Sequence, residues 1–202
     1  MEQQTRRQRK KDETRRKILE VAFRLFVEHG YDNTTIDQIT KEADIGKGTF
    51  YNYFLSKEVV LFDFMEDISA QRGDKIWASI LELQDTRQRL AKAFHSITSW
   101  FDEYPALLKA YMTDRSNTLL KNPKNYKPNH CDHFLAEIIK MGQEAGDIRD
   151  DITPLLLVNY LNGIILMQLC RWFEGGAKLD LYELVVEGID FFLIGALSTE
   201  KV

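Results

Sequence analysis

The sequence of 202 residues contains only two cysteines and four prolines. Two cysteines are too few for a disulfide framework, and this number fits a reducing compartment. The first 17 residues lack the apolar segment of a signal peptide. The most hydrophobic stretch, residues 154–170, is interrupted by Asn159, Asn162 and Gln168, so it is too short and too polar to cross a bilayer. We therefore expect a cytoplasmic protein.

Strand patterns are also missing, because no run of residues alternates between apolar and polar as a half-buried strand does. Long segments instead have apolar residues three or four apart, which predicts helices. The prolines fall at the breaks between these segments, where proline is tolerated. We predict an all-α fold of about nine helices, near residues 13–29, 35–43, 47–54, 57–83, 86–103, 106–120, 129–145, 153–174 and 180–197.

Charge is unevenly distributed along the chain. Residues 1–58 hold 12 Lys and Arg against 10 Asp and Glu, whereas residues 59–202 hold 15 against 21. Within residues 1–24 the counts are nine and four. A basic front on an acidic body indicates a polyanionic partner. An ordinary solvated, flexible arm over residues 1–12 explains the charge equally well.

Two short helices joined by a three-residue turn are predicted over about residues 35–54. The segment Thr35–Gln38 has the spacing of a capping box, and residues 44–46 form the turn. This is helix-turn-helix geometry. Phe50 and Phe54 lie four apart and are expected in the core, so the intervening polar and tyrosine side chains point outward. An interdomain helix pair with its tyrosines packed on the body is the structural alternative.

Residues 13–61 resemble the DNA-binding domain of the tetracycline-repressor (TetR) family. The resemblance rests on KGTFYNYFLSKEVVL at residues 47–61 and on the spacing from Gly30 through Thr34 and Thr35 to Lys47. It implies a DNA-binding head over residues 1–58 and a ligand-binding and dimerisation body over residues 59–202. The implied function is a ligand-responsive regulator, by default a repressor, that binds a palindromic operator as a homodimer and is released by a small molecule.

By position, the resemblance carries nine DNA-contacting residues onto this chain. They are Thr35, Gln38, Lys47, Gly48, Thr49, Tyr51, Asn52, Tyr53 and Lys57. Three residues depart from the family pattern. Asp44 stands where the family often has Gly, and Thr40 where it often has Ala. Asp37 stands where the family often has a basic or polar base-reader, so it either accepts from a cytosine amino group or turns away from the DNA.

The body is expected to form a homodimer through residues 153–174 and 180–197, because the last helix is apolar almost all round. Gly188 and Gly195 share a face and are expected to permit close helix crossing. An apolar or aromatic effector is expected to contact the large side chains of the central helices, although each is also a plausible core residue. These are Trp77, Phe94, Trp100, Phe101, Tyr104, Tyr111, Met112, Phe134, Met141, Met167 and Trp172.

No cofactor and no membrane partner are predicted. His130, His133 and Glu137 have the spacing of a weak metal-site candidate on one helix face. We find no phosphate loop, nucleophile elbow or protease zinc motif, and therefore do not expect an enzyme. The alternatives are a small-molecule-binding helical protein or enzyme, with catalytic groups far apart in sequence, and a non-specific nucleoid protein with similar affinity for every duplex.

Overall fold

The computed structural model describes residues 6–101, 103–121, 127–176 and 178–196, except for the side chains of residues 97, 98, 100, 101, 119 and 196. Within these ranges the chain forms nine α-helices and no β-strand, which confirms the all-α prediction. The helices are α1 (Arg6–His29), α2 (Ile36–Glu42), α3 (Lys47–Tyr51), α4 (Lys57–Leu81), α5 (Thr86–Phe101), α6 (Pro105–Lys121), α7 (His130–Ala145), α8 (Pro154–Glu174) and α9 (Leu181–Ala196).

The N-terminal helix is longer than the sequence pattern predicted. Helix α1 begins at Arg6, so residues 6–12 of the predicted flexible arm are helical. Arg, Lys and Gln are good helix formers, and no Gly or Pro interrupts this segment. Pairs four residues apart add support, since Gln8 Nε2 donates to Asp12 at 2.8 Å and Arg9 lies 3.7 Å from Glu13. The part of the arm at residues 1–5 lies outside the described residues.

Packing divides the chain into two compact units. The first contains the chain from α1 to Asp67 together with α6, and the second contains the chain from Ile68 through α5 together with α7, α8 and α9. The boundary between residues 58 and 59 that the family resemblance implies is a different, functional division, and it stays a prediction.

The first unit is built on the apolar stripe of α1. Ile18, Ala22 and Phe26 are buried, as the 3.6-residue period predicts. A guanidinium ties this helix to the start of α4, because Arg15 reaches Asp63 at 2.9 Å and Asp67 at 3.3 Å. The two aspartates lie one helical turn apart, so a single arginine holds one face of α4.

The second unit packs α5, α7, α8 and α9 into a helical bundle, with α8 between α7 and α9. Gly188 of α9 contributes to this packing, because a Cβ there would lie 3.2 Å from Ile164 and 3.3 Å from Gln168 of α8. The close helix crossing expected at Gly188 is therefore made with α8 of the same chain. Its missing side chain serves packing within the chain, whereas Gly195 has open space around it.

Helix α8 is long and apolar enough to cross a membrane by length and composition alone, so the expectation that this stretch is too short and too polar to do so is wrong. Seven of its side chains are buried inside the protein, among them Leu161, Ile165 and Trp172. The Trp172 indole N–H also donates to the Leu179 carbonyl at 3.0 Å. These contacts are those of a core helix in a helical bundle.

Candidate nucleic-acid interface and ligand cavity

The start of α2 is fixed by the predicted capping box. The Thr35 hydroxyl accepts from the Gln38 backbone N–H at 3.3 Å, and the Gln38 side-chain oxygen accepts from the Thr35 backbone N–H at 2.7 Å. The preceding Thr34 is buried, and its hydroxyl contacts the carbonyls of Leu25 and Gly30. Two threonines thus fix where α2 begins relative to the end of α1.

The turn between α2 and α3 depends on Asp44. This residue has a φ of 51° and is the non-glycine residue with positive φ among those described. Aspartate tolerates this left-handed conformation better than most residues. The turn is closed by the Ile45 N–H, which donates to the Thr40 carbonyl at 3.0 Å. The expectation that the turn survives without glycine is confirmed.

Helix α3 has one buried face and one exposed face. Phe50 is 0% exposed and Phe54 is 1% exposed, which confirms both as core residues. Tyr51 is 51% exposed. The helix ends at Tyr51, three residues before the predicted end, because the chain turns at Asn52, where Tyr53 N–H bonds back to the Phe50 carbonyl at 2.9 Å.

The nine predicted DNA-contacting residues are all accessible. Thr35, Gln38, Lys47, Gly48, Tyr51 and Asn52 are exposed, and Thr49, Tyr53 and Lys57 are half-buried. Eight of them lie on α2, on α3 and at the helix ends adjoining them, and Lys57 begins α4. Their roles in DNA contact stay predictions.

Asp37, which departs from the family pattern, forms an ion pair with Lys47, one of the nine predicted DNA-contacting residues. Lys47 Nζ lies 2.7 Å from Asp37 Oδ1, and the two side chains are 60% and 68% exposed. The pair joins the first turn of α2 to the first residue of α3. The hydrogen bond and charge of Asp37 raise the pKa of Lys47, and the neighbouring Tyr51 adds to the same effect. The ammonium is therefore paired with Asp37 beside Tyr51 on the exposed face.

Lys57 has a structural role that sequence reasoning missed. Its ammonium donates to the carbonyls of Tyr31 at 2.8 Å, Thr34 at 3.2 Å and Asp32 at 3.4 Å. It also lies 4.4 Å from the centre of the Tyr31 ring. An ammonium has three donors, so these carbonyls use its hydrogen-bonding capacity. Lys57 therefore anchors the segment between α1 and α2 to the start of α4.

Three ionisable side chains of the first unit, Tyr31, Glu58 of α4 and Asp114 of α6, influence one another's pKa. Burial, followed by the charge and hydrogen bond of Glu58, raises the pKa of Tyr31 well above its usual value. Burial would raise the pKa of Glu58, but hydrogen bonds from Ser56, from its own backbone and from Tyr31 outweigh it and lower that pKa. Burial and the charge of Glu58 raise the pKa of Asp114 on α6.

A cavity opens in the second unit between α4, α5 and α7. The space free for a water-sized sphere is about 10 Å³, enough for about one water molecule, within an open depression of about 250 Å³ that includes solvent. The lining is Ser69, Arg72, Gly73, Ile76, Ala93, Ser96, Cys131 and Phe134. Arg72 is held beside it, because its guanidinium donates to the Ser96 carbonyl at 2.6 Å. Gly73 lets the Phe134 ring approach, since a Cβ at this position would lie 3.2 Å from that ring.

Among the described side chains predicted to contact an effector, Phe134 lines this cavity. Within the first unit, Tyr104 contacts Phe23 edge-on and Tyr111 stacks on Phe62. Trp77 lies against Phe134 with ring centres 5.3 Å apart. Phe94 and Trp172 are buried, Met112 and Met141 are half-buried, and Met167 is 63% exposed. The side chains of Trp100 and Phe101 lie outside the described part.

The weak metal candidate is not assembled. His130, His133 and Glu137 are exposed on α7, and the described residues contain no group of three or more His, Cys, Asp or Glu placed to hold a metal ion. The start of α7 is organised by Asn129 and Asp132, which cap each other, and Asp132 also accepts from Asn162 of α8 at 2.8 Å. His130 and His133 therefore lie in the first turns of a helix whose start is capped by other residues.

The fold and the two-faced α3 define a helix-turn-helix protein with a helical body. Residues 18–63 match the family described as bacterial regulatory proteins, tetR family. The HTH-type transcriptional repressor DhaR of Mycobacterium sp. (strain GP1) is 31% identical over 159 residues, covering 73% of this chain and 76% of DhaR. TcmR of Streptomyces glaucescens, an HTH-type transcriptional regulator, is 33% identical over 179 residues, covering 83% of this chain and 76% of TcmR. The chain belongs to the TetR family of transcriptional regulators, which is not a family of enzymes.

Two further relatives are a regulator named for fatty acid metabolism and a repressor solved with an acyl-CoA. The fatty acid metabolism regulator protein of Bacillus subtilis (strain 168) is 25% identical over 181 residues, covering 85% of this chain and 93% of that protein. The crystal structure of the TetR-family repressor FadR from Thermus thermophilus, in complex with lauroyl-CoA, has a TM-score of 0.75 and 25% identity. It covers 93% of this chain and 97% of FadR.

Proposed function

We propose that this regulator is a cytoplasmic repressor that binds a palindromic operator as a homodimer and leaves it when a fatty acyl-CoA binds. The observation that carries the DNA-binding part is the division of α3 into a buried face at Phe50 and an exposed face at Lys47 and Tyr51. A short helix with a rigid inner face can present its outer side chains to base edges in a major groove.

The two faces of α3 give the experiment that tests this role. Tyr51→Ala should weaken binding to the operator by roughly 1–3 kcal/mol and binding to random DNA far less, with the fold intact. Phe50→Ala should cost roughly 3–5 kcal/mol of stability, because that ring is core. Duplex binding and thermal unfolding measured for both variants separate the roles. If Tyr51→Ala melts the head while Phe50→Ala leaves it folded, the exposed face has been misassigned.

A homodimer is supported by an apolar strip on the outside of α8 and α9. Leu156, Tyr160 and Met167 are exposed along α8, and Phe191 and Ile194 are exposed on α9, the last two by 70% and 74%. We call these five residues the outer strip. Several large apolar side chains exposed on two packed helices indicate an interaction site, and in this family the partner is a second copy. Two outer strips related by a two-fold axis would form a four-helix interface.

The effector proposal rests on the two relatives and on the chemistry of the cavity lining. The cavity has room for about one water molecule, so α4, α5 and α7 must separate to admit an acyl chain. The cavity offers apolar wall from Ile76, Ala93 and Phe134, with the Arg72 cation at its lining. Apolar walls suit an acyl chain, and a guanidinium suits an anionic group such as a phosphate. A ligand releases DNA only when it prefers the conformation that does not fit the operator.

The effector is tested by adding lauroyl-CoA, coenzyme A alone and laurate alone to the operator complex. Lauroyl-CoA should release the DNA, and without DNA it should raise the unfolding temperature of the protein. Ile76→Phe, which narrows the cavity, should weaken this response and leave operator binding unchanged, whereas Lys75→Gln, beside it but outside the lining, should respond as the wild type does. If the protein binds the operator but lauroyl-CoA does not release it, the proposed effector is wrong and the proposed DNA-binding role is unaffected.

A further inference from the structure

The ion pair between Asp37 and Lys47 is unusual for its position, because a carboxylate on a surface facing DNA repels phosphates. An exposed pair of this kind contributes little to stability. The junction of α2 and α3 is already fixed without it by the Thr35 capping box, by the turn at Asp44 and by the buried ring of Phe50. The pair therefore calls for an explanation other than folding.

The two charges lie side by side on the surface that bears Tyr51. Lys47 Nζ and Asp37 Oδ1 are 2.7 Å apart, and both side chains are more than half exposed. Tyr51 follows Lys47 by four residues, so the two share a face of α3. The pair thus presents a donor next to an acceptor, whereas a lone lysine would present a donor alone.

A donor next to an acceptor matches one base-pair edge in the major groove. A G·C pair presents, in order, the guanine N7 and O6 acceptors and the cytosine N4 donor. The ammonium can donate to the two guanine atoms while the carboxylate accepts from the cytosine amino group. A T·A pair also places an acceptor beside a donor, but its methyl group would face the ammonium and the adenine N7 would repel the carboxylate. The remaining two orientations reverse the order.

We propose that Asp37 and Lys47 act together to read one G·C base pair in each half-site, Lys47 contacting the guanine and Asp37 the cytosine amino group. This inference rests on the proposed entry of α3 into the major groove. It makes Asp37 a specificity-determining residue: it rejects other base pairs, and it keeps Lys47 on bases and away from phosphates.

The test uses the full-length protein and a random duplex pool, from which bound sequences are selected and counted. The wild type should yield a palindrome with one strongly preferred G·C pair per half-site that depends on Asp37. Asp37→Ala should lower the preference at that pair by about tenfold, the usual order for one good base contact, and leave the other positions unchanged. Thermal unfolding checks that the variant is folded.

Glu42→Ala is the matched control. Glu42 also lies on α2 and pairs with an arginine, Arg24, at 3.1 Å, and its loss changes the net charge by the same amount. It should strengthen binding to all duplexes alike, with no change in base preference. If Asp37→Ala selects the wild-type consensus with the same ratios, the pair is only a surface ion pair and the proposal is overturned. If the wild type selects no consensus at all, it is the proposed operator binding that fails.

Discussion

Lys57 shows how one side chain acquires a role that a motif does not reveal. In the family pattern it is a cation at a helix start, which predicts a phosphate contact. In the structure its ammonium is occupied by the carbonyls of Tyr31, Asp32 and Thr34. Those carbonyls follow α1 and precede the capped start of α2, so the lysine stabilises the segment that positions the helix-turn-helix.

We expect Lys57→Met to lower the free energy of unfolding by roughly 1–3 kcal/mol, because several part-buried carbonyls lose their donor together. Methionine keeps most of the apolar stem, so the loss reports the ammonium. Lys41 is an exposed lysine of α2, so Lys41→Met serves as the control and should unfold at the same urea concentration as the wild type. If Lys57→Met is as stable as the wild type, and only the salt dependence of DNA binding falls, its role is the phosphate contact alone.

At the level of single residues, sequence patterns predicted what depends on local chemistry. The Thr35 capping box, the left-handed Asp44 and the buried Phe50 follow from spacing and side-chain type, which the chain contains within a few residues. The pairs of Asp37 with Lys47 and of Lys57 with the Tyr31 carbonyl were not predicted. Each depends on the distance between elements that are ten or more residues apart, which no local pattern encodes.

At the level of elements, two carboxylates, Glu58 of α4 and Asp114 of α6, repel each other within the first unit. Asp114 is half-buried and feels the charge of Glu58, and both effects raise its pKa. A raised folded-state pKa means that the protonated form favours folding. Its contribution to stability is fully present below the unfolded pKa of about 3.9 and is lost as the pH rises through the folded pKa.

Asp114→Asn, which mimics the protonated carboxyl, should therefore raise the unfolding temperature at pH 7. The advantage over the wild type should shrink as the pH falls toward about 4, because the wild type then protonates as well. Thermal unfolding between pH 4 and 7 measures this. Asp32→Asn removes one charge from an exposed side chain and serves as the control for the change in net charge. An Asp114→Asn effect of the same size at both ends of the pH range would exclude the electrostatic explanation.

Helices α8 and α9 each have one face in the core and one exposed. Sequence periodicity predicted that they are too apolar for one face only, but it did not show that Gly188 packs against α8 of the same chain. The glycine and the exposed Phe191 lie three residues apart on a helix, about 60° from facing the same direction. A helix that is apolar almost all round gives no signal for which side meets its own chain.

Phe191→Asp should convert the dimer to a monomer at micromolar concentration, because it would bury an unpaired charge in the interface between outer strips. Light scattering should give a mass near 23.6 kDa for this variant and about twice that for the wild type. Leu120→Asp changes an equally exposed apolar residue on α6 and should leave the dimer intact. If the Phe191→Asp variant remains dimeric, the outer strip is not part of the dimer interface.

For the whole molecule, the resemblance over residues 13–61 predicted the family and the fold, and both are confirmed. Of the cavity lining only Phe134 was predicted, because Ser69, Arg72, Ala93 and Cys131 come from three separate helices and none is aromatic. Large side chains were expected to line it, yet most of those described stabilise the two cores. Composition predicts that a pocket can form, and tertiary packing decides which residues face it.

The central claim is that two heads, held by one dimer, read two half-sites on one face of a duplex. The most direct measurement is the affinity of the full-length protein for its selected operator with five base pairs inserted at the centre. Half a turn moves one half-site to the opposite face, so affinity should fall to that for random DNA. Substituting the central base pairs without changing their number should have little effect. Equal affinity for the operators with and without the insertion would contradict the account.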